Sequence, residues 1–324
     1  MKGDHHHMAS TTAEYLVVAI TTYRRPELLG PLLDLVADNI RNETSLATSI
    51  LVVDNDPDES ARRVAEARRG VHYVTERVPG IAAARQRALD EAPKNSVLIY
   101  LDDDVVPTST WIRPLLEVWQ DSGAAIVAGF VRYTFPQGTD PWIVHGGFIR
   151  RESRPTGSRL SAAAAGNILV DVAAVRRFGV RFDASLGLSG GEDTLFTSQV
   201  TRAGGAIVWC QESIVDDAIP EARATRSFCV ARAQAHGSAE VLVQLRLASS
   251  PLRRAAARAR CGLGGVARVI WGYTRHLIGR LSANVYKDAD GIRVAARGWG
   301  MARGAMGLTT AEYGRHPSAR SKKA

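Results

Sequence analysis

Along the first two hundred positions, apolar residues come in short unbroken runs separated by polar turns and by stretches with helical spacing. Residues 15–20, YLVVAI, are apolar throughout; Thr21, Thr22 and Tyr23 follow, and Pro26 opens LLGPLLDLVADNI, which has the apolar spacing of a helix. The unit recurs. SILVVD (49–54) predicts a strand ending at Asp54, DNDPDES a turn, and ARRVAEARR a helix. HYVTE (72–76) predicts a short strand, after which Pro79-Gly80 begins the helical IAAARQRALDEA. VLIYL (97–101) is apolar at every position, as in a strand buried on both faces, and runs directly into Asp102, Asp103 and Asp104. Such alternation predicts an α/β fold, a mostly parallel sheet with helices on both faces. The C-terminal ends of its strands are then the expected ligand edge.

Past residue 110 the rhythm loosens. WIRPLLEVWQ reads as a helix and AAIVAGFVRYTF as a strand, whereas 135–165 is rich in Gly, Pro and Arg and has little periodicity, so that it is a candidate substrate-facing loop. AGNILVDVAAVRRFG (165–179) reads as strand then helix, SGGEDTLFTSQVTRAG (189–204) as a glycine turn opening a helix, and AIVWC (206–210) as a strand. Residues 225–246 look helical. The opening MKGDHHHMAS lacks an apolar signal region and looks like a truncated affinity tag, which sets residues 1–10 apart. A shift in composition near Leu245 divides the remainder into 11–245 and a C-terminal helical basic extension, 246–324.

Charge sharpens that division. The net charge of +8 conceals 16 Lys and Arg against 3 Asp and Glu in residues 246–324, and a net −5 before them. Only five of the 41 basic residues are lysines, so the extension is an arginine surface suited to phosphate or carboxylate, or simply a solvated helical face. Nucleic acid is not the expected partner, because no helix-turn-helix, zinc-finger or RNP-like motif accompanies the charge. Val266, Ile270, Tyr273, Leu277 and Leu281 recur every three or four residues with Arg268, Arg275 and Arg280 among them. That is an amphipathic basic helix, fit either for peripheral contact with a membrane or for packing on protein. No apolar run approaches the roughly 18 residues of a membrane span. Cys210, Cys229 and Cys261 are too few and too scattered for a disulfide framework or CxxC-type zinc spacing. They suit a reducing compartment, so the expected location is cytoplasmic, with membrane association left open.

Three adjacent aspartates at the end of a buried strand raise one another's pKa unless a cation sits among them. Oxygen ligands of this hardness fit Mg²⁺ or Mn²⁺, which commonly bind through one or two carboxylates and substrate phosphates. A solvated acidic turn is the plainer alternative. Glu192 and Asp193 follow Ser189-Gly190-Gly191, a turn that lets backbone approach a ligand closely, and they open a helix whose dipole favours carboxylates. A capping role competes there. Asp216 and Asp217, just after AIVWC, form a third acidic group or a loop pair. Arg85, on the helix behind Pro79-Gly80, suits a diphosphate or the solvent.

Together these segments resemble a glycosyltransferase of family 2, with the GT-A fold, from about Tyr15 to Gly237. TTYRRPELL is similar to the family's nucleotide-base loop, which brings in Thr21, Tyr23 and Arg24, and VVDNDPDESA to the segment whose aspartate, here Asp54, meets the base. VPGIAAARQRAL resembles the family's PG-x-x-x-AR-N-x-A helix, with Arg85 in the arginine place and Gln86 where asparagine is usual. YLDDDVVP, followed by Trp111, looks like the metal-binding DxD segment; the resemblance puts Asp102 near the ribose, Asp103 with the nucleotide sugar and Asp104 on the metal. GNILV resembles the mid-domain GN segment, and GGEDTLF the ED motif, in which Asp193 would be the catalytic base beside Glu192. SIVDDAIPEAR is similar to the post-strand segment that often completes the metal site, and Asp217 falls at that place. Arg232 and Gly237 match a further R-x-x-x-x-G pattern.

The resemblance implies a nucleotide-sugar donor, UDP-linked by default, a divalent Mn²⁺ or Mg²⁺ and transfer with inversion to a hydroxyl acceptor: a glycan, a lipid-linked sugar or a natural product. Residues 11–245 would be the catalytic domain. Two other classes compete. VLIYLDDDVV also fits the strand-D-x-D-x-[TV] signature of haloacid-dehalogenase-like phosphatases, but that chemistry needs a lysine before the later acidic pair, and none lies between Lys94 and Lys287. A non-catalytic nucleotide- or carbohydrate-binding module would need Asp193 for neither turnover nor binding.

Overall fold

The computed structural model describes residues 13–150, 152–186 and 189–308; the expected tag at residues 1–10 lies outside them. Strand β1 (Tyr15–Thr22) shows why the apolar runs are unbroken. Its alternate side chains enter two different cores. Leu16, Val18 and Ile20 join Leu29, Leu33 and Val36 of α1 (Pro26–Glu43) and Leu115 and Trp119 of α4 (Ile112–Ser122). Val17 and Ala19 join Ala88 and Leu89 of α3 (Ile81–Glu91), Val175 of α6 (Val172–Arg177) and Phe196 of α7 (Glu192–Arg202). A strand with helices on both faces has no polar side to show.

The other strands are β2 (Ala47–Asp54), β3 (Val71–Thr75), β4 (Ser96–Asp102), β5 (Val105–Pro107), β6 (Ile126–Thr134), β7 (Arg159–Leu160), β8 (Asn167–Asp171) and β9 (Ile207–Ala218). The sheet order is β3-β2-β1-β4-β8-β6-β9-β5, with β7 also on β9. Strands β1, β2, β3 and β4 pair in parallel, as do β6 and β9; β8 runs antiparallel between β4 and β6. The sheet is therefore mostly parallel, with β5, β7 and β8 reversed, and the fold is GT-A-like. Short α2 (Arg62–Glu66) follows β2. The irregular 135–165 segment holds one turn of helix, α5 (Pro141–His145), and β7.

One expectation changes. Asp216 and Asp217 are not in a loop after a strand ending at Cys210. Strand β9 continues to Ala218 through a register shift opposite Gly129/Phe130, and its second half pairs with β5 and β6.

The chain divides into two compact units: residues up to 187 with Glu192–Cys229, and Leu188–Gly191 with the chain from Val230. The second is built from most of α8 (Arg226–Leu247), α9 (Pro251–Leu281) and α10 (Val285–Ala305). Ser250 caps α9 by accepting from Arg253 N at 3.2 Å, with Pro251 in the first turn; Asn284 caps α10 by accepting from Lys287 N at 2.9 Å. A connection of only three residues makes α9 and α10 antiparallel neighbours. Their backbones touch because glycine recurs every seventh residue: a Cβ on Gly265 would meet the Gly298 carbonyl at 2.8 Å, and one on Gly272 would meet that of Gly291 at 2.6 Å. Gly279 abuts Asp288 likewise. Gly237 of α8 lies against the Arg297 carbonyl and Gly300 against that of Gln234, which gives Gly237 a packing reason. Val241, Cys261, Met301 and Ala305 form the small apolar centre. Among the described residues no helix is long and apolar enough to cross a membrane.

Candidate active site

The end of β4 sorts its aspartates by strand alternation. Asp102 continues the face of Leu98 and Tyr100, toward α3, and its Oδ1 accepts from Arg85 at 2.9 Å. Arg85 reaches the other way to Glu192 at 2.8 Å, so one guanidinium ties the end of β4 to the first turn of α7. Both side chains of that second pair are about 5% exposed (5% and 4%). The Tyr100 hydroxyl fixes α3 from below by donating to the Arg85 carbonyl at 2.7 Å. Gly166, just before β8, leaves the carboxylate room: a Cβ would stand 2.6 Å from Asp102 Oδ2 and displace it.

Asp103 turns to the opposite face. Its Oδ2 accepts from the Thr22 hydroxyl at 2.7 Å and its Oδ1 from Arg25 at 2.9 Å. Burial pushes the Asp103 carboxyl up to about 6, against the pull of the Arg25 charge. The same Arg25 nitrogen donates to Asp104 Oδ2 at 2.9 Å, and Arg223 approaches that oxygen at 3.7 Å. Sequence reasoning missed both arginines. Asp104 Oδ1 has no partner among the described residues. Asp217 lies in register with Val105, next in the chain to Asp104, and Asp216 pairs with Arg132 at 2.6 Å. Among the described residues no three His, Cys, Asp or Glu side chains converge as a ready-made metal site.

Asp54 is fully buried and accepts from Asp56 N and Ala61 N at 2.9 Å each and from the Tyr73 hydroxyl at 3.0 Å. In this state it orders the 55–61 turn. Thr21 is buried, in register with Val53 and Asp102. Arg24 is exposed, has a left-handed backbone (φ 56°) and reaches Asp56 at 3.2 Å and Asp58 at 2.9 Å. Its guanidinium lies 5.3 Å from the centre of the Tyr23 ring. A non-glycine residue held there costs about 1 kcal/mol or more, a strain that gathers at functional sites.

Asp193 is partly exposed in the first turn of α7, after Gly191 with φ 86°, a conformation that suits glycine. Its Oδ1 accepts from Thr194 N at 2.6 Å, and its Oδ2 has no partner among the described residues. Thr194 lines a cleft of about 330 Å³, together with Arg150, Arg154, Ala163, Gly129 and Trp209. The 135–165 segment thus forms part of the cleft wall.

The sequence profile described as Glycosyl transferase family 2 matches residues 17–181, which include Asp54, Arg85 and the aspartate run. The succinoglycan biosynthesis protein ExoM of Rhizobium meliloti is 33% identical over 232 residues, 69% of this chain and 74% of its own length. The chain belongs to glycosyl transferase family 2. It is a glycosyltransferase, and the phosphatase and binding-module readings fall away. Glycosyltransferase AglE of Haloferax volcanii is 23% identical over 210 residues, 63% of this chain and 67% of AglE. Among solved structures, S. aureus TarS 1–349 in complex with UDP superposes with a TM-score of 0.54 at 12% identity, covering 87% of this glycosyltransferase and 90% of that chain. A longer TarS chain is covered to only 41%. GalNAc-T7 with UDP, GalNAc and Mn²⁺ gives 0.50 at 16% identity, covering 75% of this chain and 51% of that one. At such identities the structural likenesses speak for the fold.

Proposed function

We propose that this enzyme moves a sugar from a nucleoside-diphosphate sugar, UDP-linked by default, to an acceptor hydroxyl, inverting the anomeric carbon. The observation that carries the reading is the Arg85 bridge, which holds the carboxylate-bearing end of β4 beside the helix start that presents Asp193. Solved TarS complexes with UDP and with UDP-GlcNAc support the donor class. Thr21, Tyr23, Arg24 and the turn ordered by Asp54 receive the base. Asp102, steadied by Arg85, faces the ribose; Arg25, shared by Asp103 and Asp104, and Arg223 place cations for the diphosphate.

Asp193 takes the proton of the acceptor hydroxyl on its Oδ2 as the hydroxyl oxygen attacks the anomeric carbon, and the nucleoside diphosphate leaves with the electrons of the broken bond. A positioned base is worth about 10²- to 10⁴-fold. The cleft beside Thr194 provides room for the acceptor, whether glycan, lipid-linked sugar or natural product. The donor set also fits a hard divalent ion: Asp104 is 29% exposed and has one oxygen unpartnered, and diphosphate oxygens commonly complete such shells. Asp104 would hold Mn²⁺ or Mg²⁺, with Asp217 as the second candidate donor. When bound, the ion supplies Lewis-acid neutralisation of the departing diphosphate.

The test is calorimetry and turnover together. UDP should bind more tightly with Mn²⁺ than with chelator, and Asp104→Ala should erase that difference; equal affinity in both conditions defeats the metal assignment. Asp193→Asn should bind UDP normally and lose about 10²-fold or more in transfer. Retention of more than about a tenth of the wild-type kcat defeats the base assignment.

A further inference from the structure

Helix α9 spans 31 residues, about 46 Å, and its glycine-bearing side is taken up by α10. On another side Leu263, Val266, Ile270, Tyr273, Leu277 and Leu281 recur every three or four residues, and each is at least 49% exposed. Leu281 is 81% exposed and Leu263 74%, which is far outside the burial a helix normally gives such side chains. One apolar stripe thus runs along most of the helix with nothing against it among the described residues. Trp271, 59% exposed, sits beside it.

The charge on this helix selects the occupant. It carries Arg253, Arg254, Arg258, Arg260, Arg268, Arg275 and Arg280, and no Asp or Glu. A second copy of the same face would bring two all-arginine helices together without a carboxylate between them. An anionic bilayer surface meets both features: acyl chains take the apolar stripe, lipid phosphates take the guanidinium groups, and Trp and Tyr favour the boundary. The acidic residues of α10 do not oppose this. Asp288 is engaged by His276, and Asp290 by Arg275 at 2.6 Å and by Arg293.

We infer that the outer face of α9 docks in the plane of an anionic membrane surface, as an interfacial helix and not a spanning one. The inference stands on the second unit alone and does not depend on the sugar-transfer reading.

Flotation of the full chain tests it, with phosphatidylcholine vesicles and with vesicles that also contain phosphatidylglycerol. The protein should rise with the anionic vesicles and much less with the neutral ones. Ile270→Asp combined with Leu277→Asp should abolish flotation while helicity by circular dichroism and UDP binding stay as in the wild type. Arg258→Gln and Arg280→Gln should weaken partitioning by about fivefold each and reduce its salt sensitivity. A wild-type chain left at the bottom of the gradient with both compositions at low salt overturns the inference. So does light scattering that shows a dimer broken by the Ile270/Leu277 double variant, which would assign the face to a second copy. Donor binding, measured on the same preparations, reports separately on the enzymatic reading.

Discussion

Glu192 and Asp193 are neighbours in one helical turn, yet the structure assigns them opposite consequences on substitution. The Glu192 side chain is 4% exposed and receives Arg85 at 2.8 Å; Asp193 is partly exposed and contacts only its own turn. Two unit charges about 4 Å apart attract by about 4 kcal/mol at an effective dielectric of about 20. Glu192→Gln removes that charge but leaves an oxygen able to accept from Arg85, which also keeps Asp102. The loss should therefore fall somewhat below the 3–5 kcal/mol typical of a broken buried pair, at about 2–3 kcal/mol. At about 2–4 °C per kcal/mol for a unit of this size, the melting temperature should drop by about 4–12 °C. Asp193→Asn should stay within about 0.5 kcal/mol, since asparagine caps a helix as well as aspartate does. Urea and thermal melts of both variants, run beside a transfer assay, decide it. If Glu192→Gln melts within about 1 °C of wild type, or Asp193→Asn is the less stable of the two, the reading of Arg85 as a strut between β4 and α7 is wrong.

Two further outcomes follow from buried groups elsewhere. Glu43, at the end of α1, accepts at 3.1 Å from Ile112 N and from Arg113 N of α4, and burial raises its pKa from the ordinary 4.5. The folded state then binds its proton more tightly than the unfolded state does, so this contribution is fullest at acid pH and is lost as pH rises past that ordinary value. Glu43→Gln should gain on the wild type between about pH 4 and about pH 7 in urea midpoints, and a shift in the wild type's favour counts against it. Gly272→Ala would force a methyl into the backbone of α10 at Gly291 and Ala295, and should cost about 1–3 kcal/mol, seen as lost helicity on heating; an unchanged melt contradicts the close packing.

The strands were legible where both faces are buried, because an unbroken apolar run of four to six residues bounded by polar turns admits few other readings: β1, β2 and β4 are such runs. β9 was read only halfway. Its second half, QESIVDDA, has polar blocks on either side of Ile214 and Val215 and follows an irregular register, and a strand of that composition looks like a loop. The reversal of β8 left no trace either, since pairing direction is set by a partner far along the chain. The aspartate run stood out, but its counter-charges did not. Arg25 is 78 positions from Asp103 and no spacing rule links them; only the register of β1 on β4, Thr21 beside Asp102, brings them together. Arg85, Asp102 and Glu192 each stand out in the sequence, but nothing in their spacing shows that they pair with one another.

The seven-residue recurrence of glycine in α9 also bears on how this part of the chain can drift over generations. Every single-base change in a glycine codon that alters the amino acid without stopping translation installs a side chain with a Cβ. At Gly265, Gly272 and Gly279 that atom would strike the backbone of α10. These positions therefore have no neighbouring sequence to step to, whereas at the exposed Leu263, Val266 and Ile270 another apolar side chain meets no backbone. Distant relatives that retain this hairpin should thus be recognised by the period of their glycines long after the residues between them have ceased to match.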